Sequence, residues 1–307
     1  MRSPMSELAK RVLVGVVAAP LAIAAVFAGG AALAALLAIV AALGAWEFYR
    51  IARASGHRPF GGAGIVLAGV APLVVHAHFL NIGTLPPAAL VIAALVVAAA
   101  SIWRRGPTGA PLGAVAITLF GVLYVGVTLG FGYALRYQRF VVGFDGAPGI
   151  GEVSFAGSTF QLSLGGLLLL LPLLVTWASD IGGYFVGRAL GRHKLIPSVS
   201  PGKTVEGSLG AMIFSVAVAW LVVQFLMRPV GQLGLTTTGT ILFGVAVSAA
   251  AQVGDLFESL IKREAGVKDS SHLIPGHGGV LDRVDSLFFV LPVAYLLLDS
   301  MLVYAPR

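Results

Sequence analysis

Residues 164–187 read LGGLLLLLPLLVTWASDIGGYFVG, and this stretch decides the class of fold. Only one of its side chains, that of Asp180, is charged at neutral pH. A helix rises 1.5 Å per residue, so about 20 apolar residues cross the roughly 30 Å hydrocarbon core of a bilayer. The stretch therefore predicts a transmembrane helix, and a carboxylate near the bilayer is a candidate for a functional role.

The composition of the whole chain agrees with a membrane protein. Of its 307 residues, 58% are hydrophobic and 11% are charged, and the mean hydropathy is +0.94. Soluble chains carry roughly 25% charged residues, and a soluble fold could not bury so much apolar surface. The absence of cysteine excludes disulfides, thiol nucleophiles and cysteine-ligated metals. The net charge is +7, but the basic residues lie in short loops between apolar runs, which argues against nucleic acid as a partner.

Hydropathy predicts an all-α, polytopic integral membrane protein with about nine transmembrane helices. The break between the first two rests on Gly29 and Gly30. We find no internal repeat or linker, so the chain reads as one membrane domain, 1–307. Residues 1–135 would be mostly scaffold and lipid-facing helices, and 164–304 would carry the catalytic helices and loops. The predicted spans are 12–28, 31–49, 62–80, 86–103, 111–134, 164–187, 207–227, 238–258 and 280–304.

The distribution of basic residues predicts that the amino terminus is cytoplasmic. With nine spans, this orientation places 16 Lys and Arg residues in inside segments and 4 outside. Arg2, Lys10 and Arg11 could begin a signal peptide. The apolar stretch after them runs on to Trp46 without a convincing cleavage site, so we interpret it as a retained membrane segment.

Few polar groups occur at membrane depth in the first 160 residues. Glu47 lies at a predicted helix end beside Arg50, which favours an interfacial charge over a functional role. His76 and His78 flank the outer end of the third span. Two histidines without a nearby carboxylate are a weak metal signal, so a loop or interface position is predicted for them.

The loop after Asp180 is shaped by glycine and proline and reads SVSPGKTVEG from Ser198 to Gly207. It is not a nucleotide-binding P-loop, because that pattern needs glycine where Pro197 stands and no strand is predicted here. Its hydroxyls, Lys203 and Glu206 suit phosphate binding beside a membrane, and ordinary interfacial charge is an equal alternative.

The densest group of ionisable residues reads GDLFESLIKREAGVKDSSHLIPGHGGVLDRVDS, from Gly254 to Ser286. The i, i+3, i+7 spacing of Asp255, Glu258 and Lys262 puts them on one face of a helix. Asp282 and Asp285 repeat the i, i+3 spacing where the last helix begins. A salt-bridged loop with capped helix ends would account for only some of these charges. Carboxylates without cysteine favour Mg²⁺ over zinc, and carboxylates beside Lys and Arg are the arrangement that phosphoryl transfer uses.

At these residues the sequence resembles the phosphatidate cytidylyltransferases, also called CDP-diacylglycerol synthases. The pattern of that family is present with every spacing kept, and Ser271 stands where glycine is frequent. SDIGGYFVGR and SPGKTVEG also look like family segments, and WEFYR after the second span is similar but less specific. The matching positions are Ser259, Lys262-Arg263, Lys268-Asp269, His277-Gly278-Gly279, Asp282-Arg283 and Asp285.

The resemblance implies the reaction of CTP with phosphatidate to give CDP-diacylglycerol and diphosphate. It implies Mg²⁺ as cofactor, leaves a second, monovalent cation open, and implies a homodimer. The expected location is the inner membrane of a bacterium, with several spans and the active site facing the cytoplasm. Because the lipid phosphate can itself attack the α-phosphorus of CTP, no protein nucleophile is required.

The resemblance also assigns roles to individual residues. Asp255 and Asp282 would be the primary metal ligands, with Asp180, Glu258 and Asp285 as further candidates. The assigned catalytic residues are Asp255, Lys262, Arg263, Asp282 and Asp285, and the assigned substrate-binding residues are Ser200, Lys203, Thr204, Lys268, Asp269, His277 and Arg283.

Other functions fit the residues less well. A CDP-alcohol phosphatidyltransferase needs a DxxDG…G…DxxxD run, which we do not find, and a polytopic phosphosugar transferase remains a second enzyme class. A secondary transporter would use intramembrane carboxylates for coupling ions, but transporters usually show related halves with interrupted helices in both. Here one half is nearly free of charge.

Overall fold

The structure is a computed structural model that describes residues 7–83, 85–138, 150–155, 158–274, 276 and 278–304. Helices dominate this part of the chain and confirm the predicted all-α membrane class. Helices α5 and α7 contain π-helical stretches, and a turn at Asp285 and Ser286 interrupts α9. The helices are α1 Glu7–Ala28, α2 Gly30–Ala54, α3 Gly61–Phe79, α4 Pro87–Arg104, α5 Pro111–Arg136, α6 Leu164–Leu190, α7 Val205–Gly231, α8 Thr237–Glu264 and α9 Leu281–Met301.

Each predicted span falls on one of these helices. Among the described residues, seven helices (α2, α3 and α5 to α9) are long and apolar enough to cross a membrane. Helices α1 and α4 carry shorter apolar stretches, Ala19–Ala28 and Ala88–Arg104. The predicted break at Gly29 and Gly30 is confirmed, since α1 ends before Gly29, α2 begins at Gly30, and both glycines have positive φ, +62° and +50°. The count of nine spans and the orientation of the amino terminus stay predictions.

Three small antiparallel two-stranded sheets, two of them hairpins, accompany the helices in the described part of the chain. Strands β1 Ile150–Phe155 and β2 Ser158–Ser163 lie in the segment that hydropathy marks only as a loop. Strands β3 Lys194–Ile196 and β4 Ser200–Thr204 form the SPGKT region, so the prediction of no strand there was wrong. Short strands β5 Leu233–Gly234 and β6 Val303–Tyr304 also pair. The β3–β4 hairpin is short and partly exposed and shows little apolar alternation, which explains why the hydropathy pattern missed it.

The chain divides into two compact units, each described by itself. Unit 1 contains α1 up to Ala25, then Gly30–Tyr133 and Ile261–Val284. Its core includes Tyr49, which is fully buried and donates its hydroxyl to the Thr118 carbonyl at 2.6 Å. Gly64 on α3 and Gly121 on α5 make room for the phenol ring, because a Cβ at either position would overlap it. This packing fixes α2 against α3 and α5.

Unit 2 contains Val26–Gly29, Ala134–Leu260 and Asp285–Arg307. Helices α6 and α7 pack closely in it because glycines remove side chains from their contact. A Cβ at Gly182 would lie 2.7 Å from the Phe214 Cβ, and one at Gly207 would lie 2.9 Å from the Gly183 carbonyl oxygen. The two helices therefore bring the β3–β4 hairpin and the carboxyl end of α6 together.

Arg136 anchors the end of α1 within unit 2. Arg136 as a whole is 5% exposed, and its guanidinium donates from Nε to the Val26 carbonyl at 2.9 Å and from Nη2 to the Phe27 carbonyl at 3.0 Å. The last carbonyls of a helix lack partners within the helix, and a basic side chain both satisfies them and complements the helix dipole. Arg136 is one of the four basic residues that the predicted orientation places outside, and in the structure it is a buried cap of α1.

Candidate active site

The β3–β4 hairpin of unit 2 is held to the helices by two polar side chains. Thr204 is the N-cap of α7 and accepts from the Gly207 N–H at 3.1 Å. The Glu206 carboxylate accepts from the backbone N–H groups of Arg192 and His193 and contacts the His193 ring at 2.6 Å. These bonds set the position of Ser200 and Lys203 on β4.

A cavity of about 640 Å³ opens beside this hairpin in unit 2. Lys203 and Asp255 both line it and form an ion pair, with 2.6 Å between Nζ and Oδ2. The two side chains are 26% and 35% exposed, so the pair is within reach of solvent and ligand. The cavity combines two carboxylates, two cations and several hydroxyls, and its polar lining includes Asp180, Asp255, Arg188, Lys203, Tyr184, Ser200, Thr204, Ser208 and Gln252.

A polar network places α8, and with it Asp255, against the other helices of unit 2. Gln252 donates to the Ser248 hydroxyl at 3.1 Å and accepts from the Ser208 hydroxyl of α7. The Ser248 hydroxyl lies 2.8 Å from that of Ser179 on α6. Because Gln252 is three residues before Asp255 on the same helix, the network also positions the turn of α8 that carries Asp255. The sequence analysis did not predict a role for these four residues, although the amide of Gln252 in an apolar helix could have indicated one.

The Asp282 carboxylate in unit 1 forms an ion pair and several hydrogen bonds. Lys262 Nζ lies 2.7 Å from its Oδ1, and the side chains of this ion pair are only 12% and 5% exposed. Asp282 Oδ2 accepts from the N–H groups of Ser270 and Gly279 at 3.0 and 2.8 Å, and the Ser270 hydroxyl lies 2.7 Å away. Asp282 therefore organises the loop between α8 and α9, here called the α8–α9 loop (residues 265–280).

Glu47 holds the other side of this loop, and its predicted place as an interfacial charge was wrong. The residue is fully buried. Its carboxylate accepts from the Ser271 hydroxyl and from the N–H groups of Val280 and Leu281, and the Ser270 hydroxyl lies 3.1 Å away. Glu47 lies within α2, well before its last residue Ala54, and the α8–α9 loop surrounds its carboxylate. The sequence feature that could have indicated a role for Glu47 is a carboxylate next to an uninterrupted apolar run, the same feature that singles out Asp180.

The tight backbone of the α8–α9 loop leaves no room for a side chain at Gly279. A Cβ there would overlap the Ser270 hydroxyl and the Glu47 carboxylate. Gly278 has a φ of +77°, a conformation that favours glycine. The two glycines of the His-Gly-Gly motif therefore let the loop close between Glu47 and Asp282.

Comparison with known proteins supplies the family. The family model for cytidylyltransferases matches residues 9–301. The chain belongs to the cytidylyltransferase family. It is 33% identical over 301 residues to a phosphatidate cytidylyltransferase of Synechocystis sp., which covers 93% of this chain and 94% of that protein. Proteins of the same name from Haemophilus influenzae and Bacillus subtilis are 51% and 45% identical over 126 and 125 residues. These two alignments span only 43% and 45% of those relatives.

The other residues expected from the family pattern have varied surroundings. Arg263, Lys268, Asp269 and Arg283 are exposed in unit 1, and His277 lies outside the described residues. In unit 2, Glu258 is buried on α8, and Asp285 accepts from the N–H of the next residue, Ser286, at 2.6 Å. The structure thus brings Asp180, Asp255, Ser200, Lys203 and Thr204 to one cavity of unit 2, and Lys262 and Asp282 together in unit 1.

The donor set of the unit 2 cavity suits the divalent ion expected for this family. Asp180 and Asp255 both line it, and Mg²⁺ in phosphate-processing sites is usually held by one or two carboxylates, substrate phosphates and water. No group of three or more His, Cys, Asp or Glu side chains is arranged to hold a metal within the described ranges. A site completed by substrate needs no third carboxylate, so these residues fit Mg²⁺.

Proposed function

We propose that this chain is a phosphatidate cytidylyltransferase that makes CDP-diacylglycerol and diphosphate from CTP and phosphatidate. An oxygen of the lipid phosphate attacks the α-phosphorus of CTP and forms a new P–O bond. The bond between the α-phosphorus and the oxygen bridging to the β-phosphorus breaks, and its electron pair leaves with diphosphate. No protein nucleophile takes part, so the protein must position and neutralise two anionic reactants.

The observation that carries this proposal is the Lys203–Asp255 pair in the unit 2 cavity. A partly exposed ion pair contributes only about 0–1 kcal/mol to stability, so little is lost when its partners are exchanged. When the substrate binds, Lys203 can pair with its phosphates, and the Asp255 carboxylate is then available to bind a metal ion. The cavity volume, about 640 Å³, lies within the range of roughly 300–1,000 Å³ that is usual for small-molecule sites.

Mg²⁺ belongs to this proposal as the cofactor. Asp255 would hold it with Asp180. The other predicted ligands are Glu258, Asp282 and Asp285. When bound, Mg²⁺ supplies positive charge to the phosphate oxygens of CTP. Ligation by Asp282 Oδ1 would require exchange of the Lys262 ammonium that now lies against it. Asp285 is the remaining predicted catalytic carboxylate.

The basic residues of the α8–α9 region would bind phosphates of the two substrates. Arg263, Lys268 and Arg283 are exposed and can reach a ligand, whereas Lys262 is paired with Asp282. Guanidinium groups suit bidentate contacts with phosphate, and ammonium groups act as point charges. Asp269 and His277 belong to the same predicted substrate-binding set.

The proposed setting is the inner membrane of a bacterium, with the reaction at its cytoplasmic face. CTP is soluble and phosphatidate is a lipid, so their meeting place must be an interface. The positive-inside rule predicts that the loops rich in Lys and Arg face the cytoplasm. The proposed assembly is a homodimer, by resemblance to the family.

The decisive experiment measures transfer from radiolabelled CTP to phosphatidate by the purified protein. We expect CDP-diacylglycerol and diphosphate in equal amounts with Mg²⁺, and no product with a chelator. Diacylglycerol serves as the matched control lipid, because it has the same chains but lacks the attacking phosphate. Failure to form CDP-diacylglycerol, together with substrate flux into sealed vesicles, would support the transporter alternative instead.

Lys262 and Asp282 are expected to depend on each other for stability. Lys262→Met would leave a buried carboxylate without its cation, which costs about 3–5 kcal/mol. The double variant Lys262→Met/Asp282→Asn should recover much of that loss, because neither charge remains. Thermal unfolding of the detergent-solubilised proteins measures both effects.

Lys268→Met provides the control for that comparison. Lys268 is an exposed lysine of the same region, so its loss should change stability by no more than about 0.5 kcal/mol. Equal stability of the Lys262 and Lys268 variants would contradict the buried-pair interpretation.

A further inference from the structure

Unit 1 carries a one-sided cluster of arginines that the proposed reaction does not use. Residues 30–133 contain no lysine and five arginines, all of them near one end of α2, α3 and α4. The only acidic residue in this range is Glu47, which is buried and bonded to the α8–α9 loop. We call the cluster the arginine surface; it consists of Arg50, Arg53, Arg58, Arg104 and Arg105.

Contacts within unit 1 bring the members of the arginine surface together. Arg105, directly after α4, donates from Nη2 to the Arg58 carbonyl at 2.8 Å and lies over the Phe60 ring at 4.8 Å. The Arg53 guanidinium lies so close to the start of α3 that a Cβ at Gly61 would be 2.7 Å from its Nη1. The segments after α2 and after α4 therefore form one continuous basic surface.

Most of this charge is available to a ligand. Arg50, Arg53, Arg58 and Arg104 are all exposed. In the part of the chain that the structure describes, none of these four forms an ion pair with a carboxylate. Glu264 of the same unit is instead within 3.6 Å of His57. Several like charges on one surface repel each other, so an anionic ligand would stabilise the arrangement.

The side chains around the arginine surface indicate which kind of anion it binds. Trp103 is 80% exposed next to Arg104, and Trp46 is partly exposed beneath the Arg50 guanidinium at 5.8 Å. Exposed tryptophans are typical of the level of the lipid headgroups. Along α4, Leu95 and Ile102 are also exposed and apolar, which suits acyl chains. A phospholipid that packs on α4 would place its phosphate beside Arg104.

We propose that the arginine surface of unit 1 binds the phosphate headgroups of anionic membrane phospholipids; none of its residues lines the substrate cavity of unit 2. Guanidinium groups match phosphate oxygens in bidentate geometry, so the surface should accept phosphate monoesters and diesters alike. The occupant is a lipid and not free phosphate, because the surrounding side chains are apolar or aromatic. This inference does not depend on the proposed reaction.

Quenching of tryptophan fluorescence by brominated lipids tests the proposal directly. The reporter protein carries Trp177→Phe and Trp220→Phe, so only Trp46 and Trp103 remain of the four tryptophans. The matched control protein has the opposite replacements and keeps Trp177 and Trp220. Both are reconstituted in bilayers in which brominated phosphatidate, phosphatidylglycerol or phosphatidylcholine is titrated against unbrominated phosphatidylcholine.

We expect both anionic lipids to quench the reporter protein at mole fractions at least about tenfold lower than phosphatidylcholine. The control protein should show no such preference, and inorganic phosphate should not compete. A basic side chain near an anionic surface contributes about 1 kcal/mol, a factor of about five in affinity. The affinity of the triple variant Arg50→Gln/Arg53→Gln/Arg58→Gln for anionic lipid should therefore fall by up to about 100-fold. The corresponding Lys variant, which keeps the charges, should lose much less affinity.

Three results would overturn the proposal: equal quenching by all lipids, an equal preference in the control protein, or a preference that the triple Gln variant retains. Competition by inorganic phosphate would reject a lipid occupant. If the triple variant does not fold, Arg104→Gln alone decides, since Arg104 is exposed at the end of α4. A preference unchanged in that single variant would contradict a role for Arg104 and for the surface.

Discussion

Asp255→Asn is expected to lower cytidylyl transfer by at least about 100-fold while leaving the protein as stable as the parent. The carboxylate pairs with Lys203 in a cavity open to ligand. Groups placed to stabilise transferring phosphates typically contribute factors of 10²–10³ or more. The partly exposed pair contributes at most about 1 kcal/mol to stability, so a loss of folding would not explain a loss of turnover.

The measurement is initial-rate turnover of radiolabelled CTP over a range of Mg²⁺ concentrations, with thermal unfolding on the same samples. If Asp255 ligates the ion, more Mg²⁺ should be needed for half-maximal rate. Glu264→Gln is the matched control, because it removes one negative charge from the same helix, α8, at a side chain that is 60% exposed. Turnover of Asp255→Asn within about threefold of the parent would contradict its assigned role.

Glu47→Ala is expected to lower stability by about 4 kcal/mol or more and to release the α8–α9 loop. The buried carboxylate accepts from two backbone N–H groups and contacts two serine hydroxyls. Each buried donor that loses its acceptor costs about 1–3 kcal/mol. Since the same loop carries the family pattern and holds Asp282, transfer activity should also fall.

Hydrogen exchange of residues 268–283, together with thermal unfolding, measures this effect. Exchange should rise in that segment and stay unchanged in α6 and α7. Glu264→Ala removes an exposed carboxylate of the same unit and should change neither quantity appreciably. Unchanged protection of the loop in Glu47→Ala would show that Glu47 does not anchor it.

The helices could be predicted from the sequence because hydrophobic length alone defines a membrane span. The apolar run of α6 and the glycine break before α2 needed no knowledge of tertiary contacts. The hairpins could not be predicted in the same way. Strands β3 and β4 are short and lie between two helices, so their pairing depends on where those helices end.

The candidate site was only partly predictable for a related reason. Asp180, Lys203 and Asp255 stand out because they are charged in an apolar chain, and they do line one cavity. The burial of Glu47 depends on a loop more than 220 residues later in the chain, a contact that no local pattern contains. Gln252 and its serine partners were missed because uncharged polar residues are common in membrane helices.

The cap that Arg136 places on α1 has a consequence for shortened versions of the protein. A version that begins at Gly30 would lose the two carbonyls, of Val26 and Phe27, to which Nε and Nη2 donate. The guanidinium would then stay in an apolar environment without those acceptors. Trimming the first helix for expression should therefore keep residues 26–29 or replace Arg136 with an uncharged side chain.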